Sequence, residues 1–196
     1  MAAELTIFVL QIILLLGTLA YIVHGIARGI SGYMDVPYVA TPLRLLPKIS
    51  ETLKIRSDSI VYDLGCGDGR LLFYCAKHFP SAKFVGIERN MLLVLFARIR
   101  QRILGLKNIS FRRENIFNAN FSDATIIYAF LLTAVMDRLF ADDSTHRAAP
   151  AANNSLHHIR LVSRAFKISG RTPIETIELQ GVINICGEHQ LHVYEW

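Results

Sequence analysis

The chain has 196 residues, 52% of them hydrophobic, and 21 Lys and Arg against 16 Asp and Glu give a net charge of +5. That length suits one domain with a real core, and the apolar share is high for a soluble protein. Three widely spaced cysteines with no C-x-x-C indicate neither a disulfide framework nor a zinc site, and the positive balance suits an anionic membrane surface or an acidic partner.

The first element is apolar almost throughout. Leu5 to Val23 carries only Gln11 and Thr18 as mild exceptions, and a bilayer core needs roughly 20 such residues in a helix. A cleavable signal peptide would need a basic leader, whereas Met1-Ala2-Ala3-Glu4 offers an acid. The segment therefore predicts an uncleaved anchor that meets the bilayer through residues 5–23. Arg28, Arg44, Lys48, Lys54 and Arg56 follow it, which places the following domain on the cytoplasmic side by the positive-inside rule. Residues 1–32 are then expected to form the anchor and juxtamembrane linker, and residues 33–196 the domain that follows.

Next comes Val36-Pro37-Tyr38-Val39-Ala40-Thr41-Pro42, a stiff segment. Pro42 to Leu53 has the apolar spacing of an amphipathic helix, interrupted at Pro47. Strand and helix patterns alternate from Ser57. The first strand ends at Asp63-Leu64 and runs into Gly65-Cys66-Gly67-Asp68-Gly69-Arg70. Glycines at alternate positions permit a tight turn and a close approach of ligand to backbone. A strand, such a turn and a helix N-terminus make a nucleotide-type crevice at the carboxyl edge of a parallel sheet. A dinucleotide fingerprint wants a small residue where Arg70 stands, and no Gly-Lys-Ser/Thr is present to make a phosphate loop. Cys66 reads as a small structural residue of the turn.

A helix is expected from Gly69 to about Phe79, then a strand Lys83 to Glu88. Glu88 ends that strand about twenty residues past the turn, where a carboxylate can accept both hydroxyls of a ribose. Asn90 is a good N-cap for a helix to Leu104, with Gly105 as its stop. Arg98, Arg100 and Arg102 crowd that helix and read as a solvated face, and no nucleic-acid-binding module accompanies them. Asn108 to Arg113 and Ala124 to Phe130 predict two more strands, the second a buried run. Ala134 to Phe140 predicts a short helix, and Ile159 to Phe166 a fifth strand. Ile174 to Leu179 and Leu191 to Trp196 close the series. This is a parallel α/β sheet with an antiparallel pair at one edge. Residues 142–158 fit no period; His146, His157 and His158 match no standard metal-ligand spacing, and a loop is expected there.

The string Asp-Leu-Gly-Cys-Gly-Asp-Gly-Arg at residues 63–70 resembles motif I of the class I S-adenosylmethionine-dependent methyltransferases. With the Glu88 acid, the Pro37–Pro42 element and Val162-Ser163-Arg164-Ala165-Phe166, the chain resembles the small membrane-anchored protein-lysine methyltransferases. Mitochondrial relatives of that family modify the ATP synthase c subunit and the adenine nucleotide translocase. The resemblance implies a Rossmann-like, seven-stranded methyltransferase sheet with helices on both faces, preceded by one transmembrane helix. It implies S-adenosyl-L-methionine as cofactor, held by Asp63, Gly65, Cys66, Gly67, Gly69, Glu88 and Asn115. It implies a lysine of a membrane protein as acceptor and, in a eukaryote, the mitochondrial inner membrane as location.

Asn115 stands where relatives often carry the Asp of a Gly-Asp pair that reads adenine; its amide oxygen can still accept. Tyr38 and Thr41 are the candidates for a catalytic entrance that strips water from the acceptor. Two departures from the family fall near the acceptor: Ala40 replaces a usual proline, and Leu131-Leu132-Thr133 lacks one. A lipid, a small molecule or RNA stays open as acceptor. So does a catalytically inactive cofactor-binding protein, while Arg70 disfavours a nicotinamide oxidoreductase.

Overall fold

The computed structural model describes residues 2–31, 39–140, 159–179 and 189–196. Tyr38, Cys186 and the irregular stretch 142–158 lie outside them. The chain divides into two compact units, Met1–Tyr38 and Val39–Trp196.

The first unit is helix α1, Ala2–Ser31. Its Ala3–Ile26 stretch is 24 residues of strongly apolar helix with none of it buried. At 1.5 Å per residue that stretch is about 36 Å long, against about 30 Å of bilayer hydrocarbon. The helix is thus long and apolar enough to cross a membrane. Thr18, one of its few polar residues, returns its hydroxyl to the Leu15 carbonyl at 2.8 Å.

In the second unit a short 3-10 turn, Leu43–Leu45, leads into α2, Leu46–Leu53. The expected break at Pro47 does not occur. Pro47 falls in the first turn of α2, where its missing N–H would have had no intrahelical partner. Strands β1 (Ile60–Leu64), β2 (Lys83–Glu88), β3 (Ile109–Arg113), β4 (Ile126–Ala129), β5 (Arg160–Arg164), β6 (Glu175–Glu178) and β7 (Gln190–Glu195) form one seven-stranded sheet. Its order is β3-β2-β1-β4-β5-β7-β6. The first five strands are parallel, and β7 runs antiparallel to both β5 and β6. This is the expected parallel sheet with an antiparallel edge. β1 and β4 are buried along nearly their whole length, as strands covered on two faces must be.

Local signals set the helices between them: α3 (Arg70–His78), α4 (Met91–Leu104) and α5 (Thr133–Phe140). The Asn90 side chain accepts from the amides of Leu92 and Leu93, and Gly105 ends α4 in the left-handed region at φ 65°. Asn108 donates its amide to the carbonyls of Ala76, Phe79 and Ala82 at 3.1–3.2 Å, pinning the end of α3 to the start of β3. The arginines of α4 are less free than a solvated face implies. Arg98 donates through Nε and Nη2 to the Phe111 carbonyl at 3.1 and 2.7 Å, and Arg100 lies 4.5 Å over the Phe73 ring.

The fifth strand stops at Arg164, short of the expected Phe166. Ala165 adopts φ 69°, and the Phe166 amide donates to the Arg164 carbonyl at 2.9 Å. That is a γ-turn with a left-handed centre, a strained geometry for a residue with a Cβ.

Candidate functional site

β1, β4 and β5 lie side by side, so their carboxyl ends bring Asp63-Leu64-Gly65, Phe130-Leu131 and Arg164-Ala165-Phe166 to one edge. The strand order reverses direction from β1 to β4, and such a switch point opens a crevice at that edge. The glycine turn fills the mouth of the crevice with backbone. Gly65, Gly67 and Gly69 have φ of 78°, 55° and 74°. The amides of Gly65 and Cys66 both donate to the Ile87 carbonyl, at 2.9 and 3.1 Å, which closes the turn onto β2. A Cβ on Gly69 would come within 2.6 Å of the Phe111 ring.

Cys66 packs inward. A Cβ on Gly86 of β2 would sit 2.6 Å from its Sγ, so the bare strand residue makes room for the thiol. Burial pushes that thiol's pKa well up, which keeps it neutral and structural. Gly86 is not among the expected site residues; its place inside a strand pattern is the available signal.

Glu88 holds the turn from the next strand. One carboxylate oxygen accepts from the Gly67 amide at 3.0 Å and the other from the Asn90 amide at 2.8 Å. Each oxygen has a second acceptor position, so the pair can still take two hydroxyls. Asp63 is buried behind the same turn, 4% exposed. Burial first, then the charges of Glu88 and Asp68, push its carboxyl up to about 8. A buried acid of this kind gains its charge when a cation is brought beside it. Asn115 follows β3. Its side-chain oxygen accepts from the Phe117 amide at 3.1 Å, and its own carbonyl accepts from Asn118 and Ala119. The side-chain amide N–H groups and a second lone pair are what it offers a ligand.

Arg70 anchors the segment before α2 to the turn. Its guanidinium pairs with Asp68 through two contacts, 2.7 and 3.1 Å, and its Nη1 donates to the Thr41 carbonyl at 2.9 Å. Arg164, fully buried, donates to the Thr41 hydroxyl at 3.1 Å. Thr41 therefore sits at the edge of the crevice, its carbonyl and hydroxyl each accepting from a different arginine. Beside Arg164 and Thr41 stands the buried Tyr128 hydroxyl, whose pKa burial raises. The Arg164 guanidinium also covers the Phe130 ring at 4.4 Å. Phe166, turned by the Ala165 bend, stacks on Phe130 with centroids 6.3 Å apart and planes 24° apart. Arg164, Tyr128, Phe130 and Phe166 are not among the expected site residues. The arginine that closes the short strand Arg160–Arg164 is the available sequence signal for them.

The cradle can be tested against S-adenosylmethionine from these features alone. A buried acid faces the turn where a positively charged amino group would sit. The backbone there is bare, and a carboxylate with spare lone pairs stands at the tip of β2. The residues fit the group. A sheet in this order, with this turn and this acid, defines a class I S-adenosylmethionine-dependent methyltransferase.

Comparison with known proteins narrows the class. The ANTKMT methyltransferase domain model matches residues 63–175. A protein-lysine N-methyltransferase of Saccharolobus islandicus (strain REY15A) is 35% identical over 169 residues, covering 79% of this chain and 96% of that one. A Caenorhabditis elegans lysine N-methyltransferase named for the ATP synthase c subunit is 34% identical over 93 residues, covering 43% of this chain and 47% of that one. Among solved structures, an RNA methyltransferase from Salinibacter ruber in complex with S-adenosyl-L-homocysteine has a TM-score of 0.66 at 28% identity. That likeness covers 81% of this chain and 92% of the other. The chain belongs to the ANTKMT methyltransferase domain family, and its methyl donor is S-adenosylmethionine.

Proposed function

We propose that the chain is a membrane-anchored protein-lysine N-methyltransferase. The observation that carries the lysine reading is the 35% identity to a protein-lysine N-methyltransferase along 96% of its length. Bound S-adenosylmethionine supplies a methyl group on a sulfonium, already activated for displacement. What remains for the protein is orientation and exclusion of water. Asp63 would hold the amino group of the donor, Gly65 and Gly67 would leave room for its methionine part, Cys66 packs inward from the same turn, and Gly69 completes it. Glu88 would hold the ribose, and Asn115 would meet the adenine edge.

The acceptor lysine has to arrive as a free amine, because an ammonium has no lone pair. Two features of the crevice favour that form. The Phe130–Phe166 stack is apolar and strips water from an alkyl amine, and the Arg164 guanidinium beside it repels a second positive charge. Desolvation and a like charge both lower an amine's pKa. Thr41 acts by holding Arg164, and Tyr38 is kept as a candidate at the entrance.

The anchor reading rests on α1 and on the charges that flank it. Glu4 precedes the apolar stretch and Arg28 follows it, which favours a single pass with the catalytic unit on the cytoplasmic side. In a eukaryote the corresponding site is the mitochondrial inner membrane. Protease treatment of sealed vesicles tests the orientation: the catalytic unit is digested in inside-out vesicles and protected in right-side-out ones.

An RNA acceptor is the second reading, favoured by the likeness to the Salinibacter ruber enzyme. The two are separated by incubating the full chain with labelled S-adenosylmethionine and either membrane protein or total RNA. Label on lysine, located by mass spectrometry, supports the proposal. Label on RNA alone overturns it.

A further inference from the structure

Helix α4 is apolar on two sides. Leu93, Val94 and Ala97 are buried on one. Met91, Leu95, Ile99 and Ile103 stand at i, i+4, i+8 and i+12, and are 55%, 50%, 44% and 79% exposed. At about 100° per residue these four form a continuous stripe facing away from the buried side. Scattered exposed apolar residues are ordinary. A helix with a second apolar stripe opposite its buried one has a face suited to a second apolar phase.

The same geometry puts Arg98 and Arg102 along one edge of the stripe and Arg100 along the other. The helix has no acidic residue. Two of these cations are held in place, Arg98 by the Phe111 carbonyl and Arg100 by the Phe73 ring. An apolar band between fixed arginines matches the boundary of an anionic bilayer, with phosphates above and acyl chains below. A second copy of the chain is a poor occupant, because a two-fold contact would set arginine rims against each other. The chain also carries α1, long and apolar enough to cross a membrane, so a bilayer surface is within its reach.

We propose that the outer face of α4 rests on the anionic surface of a lipid bilayer. Met91, Leu95, Ile99 and Ile103 enter the headgroup–acyl boundary, and the flanking arginines meet lipid phosphates. The inference draws on the reading of α1 as an anchor but concerns a different surface. It has a functional consequence: α4 begins directly after the Glu88–Asn90 contact at the turn, so docking this face holds the crevice close to the bilayer surface.

The test uses the full chain with Cys186→Ser and Ile103→Cys, labelled with an environment-sensitive fluorophore; Cys66 and Cys75 are buried. A control carries the label at Ile174→Cys, on an exposed residue beside β6. Each protein is reconstituted with vesicles of phosphatidylcholine, with or without phosphatidylglycerol, doped with lipid bearing a nitroxide high on the acyl chain. Flotation of the vesicles reports α1 separately. The expected result is quenching at position 103 several-fold stronger than at position 174 in the anionic vesicles. It is expected to fall to the control level when Leu95→Glu and Ile99→Glu are added. Protein that floats with its label unquenched overturns the α4 inference and leaves the anchor standing. Protein that neither floats nor quenches overturns both. Equal quenching in neutral and anionic vesicles overturns the role of the arginines. Shielding that grows with protein concentration and ignores lipid overturns it in favour of a second copy.

Discussion

Arg164 donates a hydrogen bond to the Thr41 hydroxyl at 3.1 Å, across 123 residues of sequence. The bond joins the segment that enters the catalytic unit to the end of β5, at the carboxyl edge of the sheet. A charged donor buried to this degree depends on each acceptor it has. Thr41→Val should therefore lower stability by about 1.5–3 kcal/mol, the range for hydrogen bonds to charged groups, read by urea unfolding in detergent. Methyl transfer should fall through kcat, with the affinity for S-adenosylmethionine nearly kept. Unchanged stability with lost turnover would instead make Thr41 a reacting group.

Glu88 joins the turn and the donor site through the Gly67 and Asn90 amides. Gln in its place keeps one acceptor oxygen and sets an N–H against a backbone N–H. Affinity for S-adenosylmethionine should fall about 10- to 100-fold, the worth of a hydrogen bond to a charged group, while circular dichroism stays unchanged. Calorimetry giving the wild-type constant would remove the ribose assignment.

Gly69 and Gly105 both occupy the left-handed region, at 74° and 65°. They differ in surroundings: a Cβ on Gly105 meets nothing within 4 Å, and one on Gly69 meets the Phe111 ring at 2.6 Å. Gly105→Ala should cost about 1–2 kcal/mol of backbone strain. Gly69→Ala should cost about 1–3 kcal/mol more, because a packed core resists added volume. Equal losses in thermal unfolding would show that Phe111 yields freely.

Asp63 is raised from 3.8 to about 8. The sign is the reverse of a paired carboxylate. The neutral form is the one the fold prefers, so its contribution is complete below pH 4 and disappears as pH climbs through 8. Between those limits this one group lowers stability by up to about 1.4 kcal/mol per pH unit. Asp63→Asn should flatten that decline in the donor-free protein and abolish tight binding of the donor, whose amino group needs the charge. A pH–stability profile identical in both proteins would refute the assignment.

Much of the fold is legible from residues close together in the chain. β2 is expected at Lys83 to Glu88 and lies there; the Asn90 cap and the Gly105 stop hold α4 as expected. These signals act within a turn or two of backbone, so the sequence carries them openly. The expected break at Pro47 fails because a proline's effect depends on where the helix begins, and the preceding 3-10 turn moves that point. The expected end of β5 fails because Ala165 takes a left-handed angle that no local propensity favours.

The sequence by itself determined the alternation of strands and helices, the bare turn at residues 65–69 and the acid at Glu88, because period, glycine and strand-end chemistry are local properties. The tertiary structure decided which distant groups meet. It set Arg164 on Thr41, stacked Phe166 on Phe130, and left the second apolar face of α4 in the open. Those outcomes follow from strand order and packing, in which a side chain's partners are chosen by the whole sheet and not by its neighbours along the chain.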